Sequence, residues 1–133
     1  MTTARPFLMF QDGNAQAALD LYFATFPDSG FVRVERYAQG EPGPEGTIKV
    51  AVFTLCGREF MCSDSPIDHG FSFTPSSSTF VDFESEAELE RTFGVLAENG
   101  EVLMPLNNYG FSQRFGWLND RFGVSSQLNL PAN

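Results

Sequence analysis

Residues 116–131, GWLNDRFGVSSQLNLP, read as a strand, a tight turn at 120–123, and a second strand that finishes Gln127-Leu128-Asn129-Leu130. Alternation in that second strand puts Ser125, Gln127 and Asn129 on one face and Val124, Ser126, Leu128 and Leu130 on the other. The first set is polar, so it is expected to line an open cavity while the leucines meet a helix. Asp120 is read as structural, its carboxylate hydrogen-bonding the backbone of its own turn.

Working upstream, residues 114–118 and 101–104 read as two more strands. Before them Ser85-Glu86-Ala87-Glu88 forms an S-x-x-E box, the signature of a helix start. Leu89, Phe93, Leu96 and Ala97 give that helix its apolar face, and Asn99-Gly100 closes it. Residues 73–83 supply a strand ahead of the helix. The order is strand, helix, strand, strand, strand.

The same order runs through the first half. Residues 5–11 read as a strand, and Asn14 is the expected N-cap of a helix whose buried face is Ala15, Ala18, Leu19, Tyr22, Phe23 and Phe26. Pro27-Asp28-Ser29-Gly30 stops it, and strands are expected at 31–38, 47–55 and 59–63. The GEPGPEG stretch at 40–46 is a loop, with no following Lys-Ser/Thr to make it a phosphate cradle. This is a repeat of order rather than of letters. The expected fold is therefore α+β: two βαβββ repeats, 1–65 and 66–133 of a single domain, forming a curved, open barrel-like sheet with a helix packed on each half. The concave side of such a sheet is a natural small-molecule site.

Composition narrows the function classes. A net charge of -9 with only 8 Lys and Arg excludes a phosphate-binding surface for nucleic acid. No apolar run reaches the roughly 18–20 residues of a membrane span, and the start MTTARPFLMFQDG lacks the apolar core of a signal peptide. A cytoplasmic location is expected. Cys56 and Cys62 are read as buried thiols in a reducing compartment, and no CxxC spacing suggests zinc.

Four stretches, PFLMFQDGNAQAALDLYFATFPDS, FMCSDSP, HGFSFTPS and YGFSQRFGWLNDRFGVSSQLNLP, resemble the vicinal oxygen chelate (glyoxalase/bleomycin resistance/dioxygenase) superfamily. Within it the chain is similar to the PhnB-like branch, labelled as a 3-demethylubiquinone 3-methyltransferase domain. The resemblance implies the paired βαβββ fold, a homodimer, and a cavity where metal-dependent members place His or Glu ligands on four strands. The matching stretches here are Pro6-Phe7-Leu8 with no donor, Met61-Cys62-Ser63 with Asp64 beyond, Ser76-Ser77-Ser78 with hydroxyls only, and Gln127. One amide among hydroxyls does not neutralise a divalent ion. The label's methyl donor finds no motif either. The first strand leads to Asp12-Gly13-Asn14, with a single Gly, and the later strands come as meanders rather than the doubly wound pattern of the usual S-adenosylmethionine site.

The leading expectation is a small-molecule binder, or an enzyme needing neither metal nor cofactor, whose ligand is not named by the residues. Its cavity candidates are Phe7, Met9, Met61, Ser63, Asp64, Ser77, Tyr109, Trp117 and Gln127. Asp64, at a strand end, suits a solvated turn as well as the cavity, whereas Glu59 is read as outward. The alternative is a divalent-metal lyase, isomerase or dioxygenase built from Asp64, His69 and Gln127. His69, the single imidazole, is expected in an exposed linker or against a sheet edge. A third possibility is a dimeric interaction protein with a vestigial cavity.

Overall fold

Residues 48–55, IKVAVFTL, alternate two apolar sets, and the strand they form is buried on both faces. In the computed structural model, which describes all 133 residues, the elements run β1 (Phe7–Phe10), α1 (Ala15–Thr25), β2 (Gly30–Arg36), β3 (Ile48–Leu55), β4 (Arg58–Asp64), β5 (Thr79–Asp82), α2 (Glu86–Ala97), β6 (Glu101–Asn107), β7 (Arg114–Asn119) and β8 (Ser125–Leu130). They form two four-stranded sheets of orders β1-β4-β3-β2 and β5-β8-β7-β6. The βαβββ order thus occurs twice, and neither sheet closes into a barrel. β1–β4 and β5–β8 pair in parallel, and the remaining neighbours are antiparallel.

The chain divides into two compact units, Met1–Ser72 and Phe73–Asn133. Segment 66–72 goes with the first because the Gln11 side chain grips it. The Gln11 Oε1 accepts the His69 N–H at 2.7 Å, and its Nε2 donates to the Phe71 carbonyl at 2.7 Å.

In the first unit α1 lies over Ala51, Phe53, Phe60 and Cys62, paired as Ala51↔Cys62 and Phe53↔Phe60. Phe23 of α1 meets Phe53 and Phe31 edge-on at 6.1 and 5.2 Å, and Phe53 stacks on Phe60 at 5.6 Å. The start of α1 departs from expectation. Asn14 makes no side-chain capping bond, and the first turn carries no acidic residue. The acceptor comes instead from β4. Asp64, 3% exposed, accepts the Ala15 N–H at 3.0 Å and the Ile48 N–H at 2.8 Å. A carboxylate is favoured there because the helix N-terminus presents unpaired N–H groups and partial positive charge.

In the second unit α2 supplies its own cap: Ser85 Oγ accepts the Glu88 N–H at 3.2 Å. Asn99 takes a left-handed φ of 59° and Gly100 bonds back to Ala97 at 2.9 Å, so the helix ends where the letters indicated. Gly116 is required by packing, since a Cβ there would run into the Phe93 ring of α2. The strand expected over 73–83 shrinks to Thr79–Asp82, because residues before it turn, with Ser77 N–H on the Thr74 carbonyl. β6 extends through Pro105, which an outer strand tolerates, and its register slips on both sides of Met104. Neither helix is long and apolar enough to cross a membrane.

Replacing Asp64 with Ala strands two buried N–H groups. The expected loss is about 3 kcal/mol of unfolding free energy in urea titration, and a loss below 1 kcal/mol would remove Asp64 from this role.

Candidate functional site

α2 covers one face of the second sheet. Arg114 reaches Glu86 and Glu90 of α2 at 2.9 Å each, and Gly116 abuts Phe93, so the alternate β7 residues Phe115, Trp117 and Asn119 lie on the opposite face. Strand register adds Ser125, Gln127 and Asn129 from β8, with Phe80 and Asp82 from β5, to that helix-free face.

Its polar groups are tied to one another. The Trp117 indole N–H donates to Ser125 Oγ at 2.8 Å. Gln127 Nε2 donates to Ser78 Oγ at 2.7 Å, and Asn129 Nδ2 donates to the Asp82 carboxylate at 2.8 Å. Aromatic rings border this row. Buried Phe115 is met by Phe111 at 5.1 Å, Tyr109 at 6.1 Å and Phe80 at 6.2 Å. Phe80 and Phe111 remain 52% and 59% exposed, which is unusual for rings with no covering element.

The expected residues separate into groups. Trp117 and Gln127 face each other as a cross-strand pair, and Tyr109 joins them through Phe115. Phe7 pairs with Met61 and Met9 with Ser63 on the face of the first sheet that α1 does not cover. Two of the expected residues lie apart from these groups. Asp64 points into the α1 side, where both its oxygens hold backbone N–H groups. Ser77 is exposed in a turn, and the hydroxyl that meets Gln127 belongs to Ser78. Phe80, Asp82 and the Asn129 pairing went unanticipated. Alternation along β5 puts 80 and 82 on one side, in register with Gln127 and Asn129.

His69 is half-buried, its Nε2 3.0 Å from Ser65 Oγ and its ring stacked on Phe71 at 5.0 Å. Asp120 behaves as expected, accepting the Phe122 and Val124 N–H groups at 2.8 and 3.2 Å.

The cysteines differ from each other, which corrects the expectation that both are buried. Cys56 and Gly57 both adopt positive φ, 53° and 79°, in the two-residue turn between β3 and β4, and Cys56 is exposed. Cys62 is buried under α1. Burial, and next the charge of Asp64, push its thiol up to about 12.

With this geometry described, the chain can be compared with known proteins. The family described as 3-demethylubiquinone-9 3-methyltransferase matches residues 2–129. The chain belongs to that family. It is 48% identical to a solved Bacillus cereus structure named as a putative 3-demethylubiquinone-9 3-methyltransferase, PhnB protein, with a TM-score of 0.93 over 97% of this chain and 99% of that one. A solved Pseudomonas aeruginosa protein is 28% identical, with a TM-score of 0.84 and full coverage of both, 100% each. Protein YjdN of Escherichia coli (strain K12) is 26% identical over 94% of this chain and 92% of its own. The fosfomycin resistance protein FosX of Listeria monocytogenes, at 12% identity and a TM-score of 0.65 over 99% and 94% of the two chains, shares the fold alone.

A divalent metal of the kind the resemblance implies finds no fitting donors here. Nowhere do three His, Cys, Asp or Glu side chains gather. Of the alternative set Asp64, His69 and Gln127, Asp64 is spent on backbone N–H groups and Gln127 is bonded to a hydroxyl. S-adenosylmethionine fits no better, since each sheet has only one parallel pair and lacks the doubly wound order.

The thiols give a direct check. With an aromatic disulfide reagent at pH 8, Cys56 is expected to react in the folded protein and Cys62 only after unfolding. The sign for stability follows from the raised value. Between 9.0 and about 12 the unfolded chain loses the Cys62 proton and the folded chain keeps it, so this contribution to stability falls as pH rises through that window.

Proposed function

We propose that this protein binds a small organic molecule on the aromatic, helix-free face of its second sheet, without help from a metal ion. The carrying observation is the pair of exposed rings Phe80 and Phe111 resting on buried Phe115, beside the Gln127–Ser78 and Asn129–Asp82 pairs. Apolar surface with a few fixed polar groups is the usual make-up of a small-molecule site. The hydroxyls there meet an amide and an indole rather than a base, which favours binding over nucleophilic chemistry. Phe7, Met9, Met61 and Ser63 form a second, more apolar surface of the same use on the first sheet. In this reading the two units are halves of one domain acting in the cytoplasm, in keeping with two cysteines outside any disulfide.

Two measurements test it. Metal content by mass spectrometry, after dialysis against Ni²⁺, Mn²⁺, Fe²⁺ and Zn²⁺ in turn, is expected to stay well below one ion per chain. One tightly held ion would replace this reading with the metal-enzyme alternative. Trp117 is the single tryptophan, so its emission reports on the face itself. Uncharged arenes such as benzamide and benzyl alcohol are expected to change it saturably, and Gln127→Ala to weaken that response by about fivefold. Flat titrations would count against a site there.

We further propose a homodimer. The outer strand β2 pairs only with β3 and exposes Phe31, Val32 and Val34, an apolar edge that invites pairing. Sedimentation is expected to give twice the 14.7 kDa chain mass, and a monomer at micromolar concentration would refute it.

A further inference from the structure

The helix-free face of the second sheet is lopsided in its hydrogen bonding, and the lopsidedness selects a ligand chemistry. Asn129 is 8% exposed, and its amide has one fixed orientation. Nδ2 must face Asp82, because an ionised carboxylate only accepts. Its Oδ1 is then enclosed without any donor. A buried acceptor left in that state is costly, and natural proteins seldom leave one without a reason. Asp82 itself is exposed at the end of β5 and keeps lone pairs beyond the one given to Asn129. Two acceptors that share one bond therefore sit side by side, one of them charged, in register across β5 and β8.

The surroundings complete the preference. Phe80 precedes Asp82 by two residues on the same face of β5, and Phe115 lies directly across from Asn129 on β7. Aromatic faces beside a carboxylate suit a cation, which the ring quadrupole and the charge attract together. Positive side chains are missing from this face: the strands of the second sheet contain one Arg or Lys, Arg114, and it is turned to α2 and bound to Glu86 and Glu90.

We propose that the ligand bound on this face carries a cationic N–H group, an amine or amidine, that donates to Asp82 and Asn129 Oδ1 while its apolar body lies against Phe80 and Phe115. This rests on the small-molecule reading above and names the ligand class for the same site. Phe80 and Phe111, more than half exposed and resting on Phe115, are the rings that turn aside to admit it.

The test uses benzamidine, benzamide and benzoate, three molecules of nearly one shape and of charge plus one, zero and minus one. Titrated against the full-length protein and read by Trp117 emission and calorimetry, benzamidine is expected to bind at least about 10-fold tighter than benzamide, with benzoate weakest. Asp82→Asn keeps the acceptor that holds Asn129 and removes the charge. It is expected to abolish the advantage of benzamidine over benzamide. Phe80→Ala should weaken benzamidine and benzamide alike. Equal binding of benzamidine and benzamide, or an Asp82→Asn variant that still prefers benzamidine, would overturn the ligand class and leave the small-molecule reading standing. Tightest binding by benzoate would do the same. Failure of all three to bind would remove both.

Discussion

One carboxylate organises the first unit. Asp64 ends β4, where it is in register with Phe10 at the end of β1, and its two oxygens fix the first N–H of α1 and the first of β3. Four elements are thereby referred to a single buried charge. The cost of burying it is offset by two charge-assisted bonds and by the helix N-terminus it faces. The apolar layer of Phe53, Phe60, Cys62 and Leu19 packs around an α1 whose start this residue sets. Burial first, and then the charge of Asp64 two positions away on the same side of β4, hold the thiol of Cys62 protonated.

The second unit solves the same problem differently. Registering β5–β8 on β1–β4 aligns Phe80 with Phe7, Gln127 with Met61, Asp82 with Met9 and Asn129 with Ser63, and it puts Leu130 where the first unit has Asp64. No strand carboxylate is needed at 130 because Ser85 caps α2 from its own sequence. The helix side of the second sheet carries Leu118, Leu128 and Leu130 with Arg114 and Ser126, and its amides Asn119, Gln127 and Asn129 collect on the helix-free face. Order is repeated, but the two helix-free faces differ: thioethers and a hydroxyl on one, two amides and a carboxylate on the other.

The fold was legible wherever a local signal agreed with its tertiary setting. The S-x-x-E box and Asn99-Gly100 marked α2 within a residue, and alternation placed Gln127 and Asn129 on the open face. Signals failed where a distant group competed. Asn14 looked like a cap, yet Asp64, 49 positions along the chain, provides the acceptor. Cys56 looked buried by its apolar neighbours, but a two-residue turn needing positive φ at both positions turns it outward. β5 was overextended because Phe73 continues its apolar character, whereas Pro75 and the Ser77–Thr74 bond form a turn.

Membership of a fold family therefore says little about chemistry until the face is read residue by residue. A divalent-metal site needs several charged or imidazole donors aimed at one point. Here the carboxylates are engaged and dispersed: Asp64 holds backbone, Glu86 and Glu90 hold Arg114, and Glu101, across from Asn119 at the far end of the helix-free face, accepts from it. What remains on the helix-free face of the second sheet is a row of neutral amides and hydroxyls with Asp82 at one end. An anion entering there would meet a carboxylate and the electron-rich faces of Phe80 and Phe115, with no cation to offset either. A donor with positive charge meets the opposite situation on every count. The same face that gathers no cluster of carboxylates for a divalent ion can still balance one monovalent organic cation at Asp82.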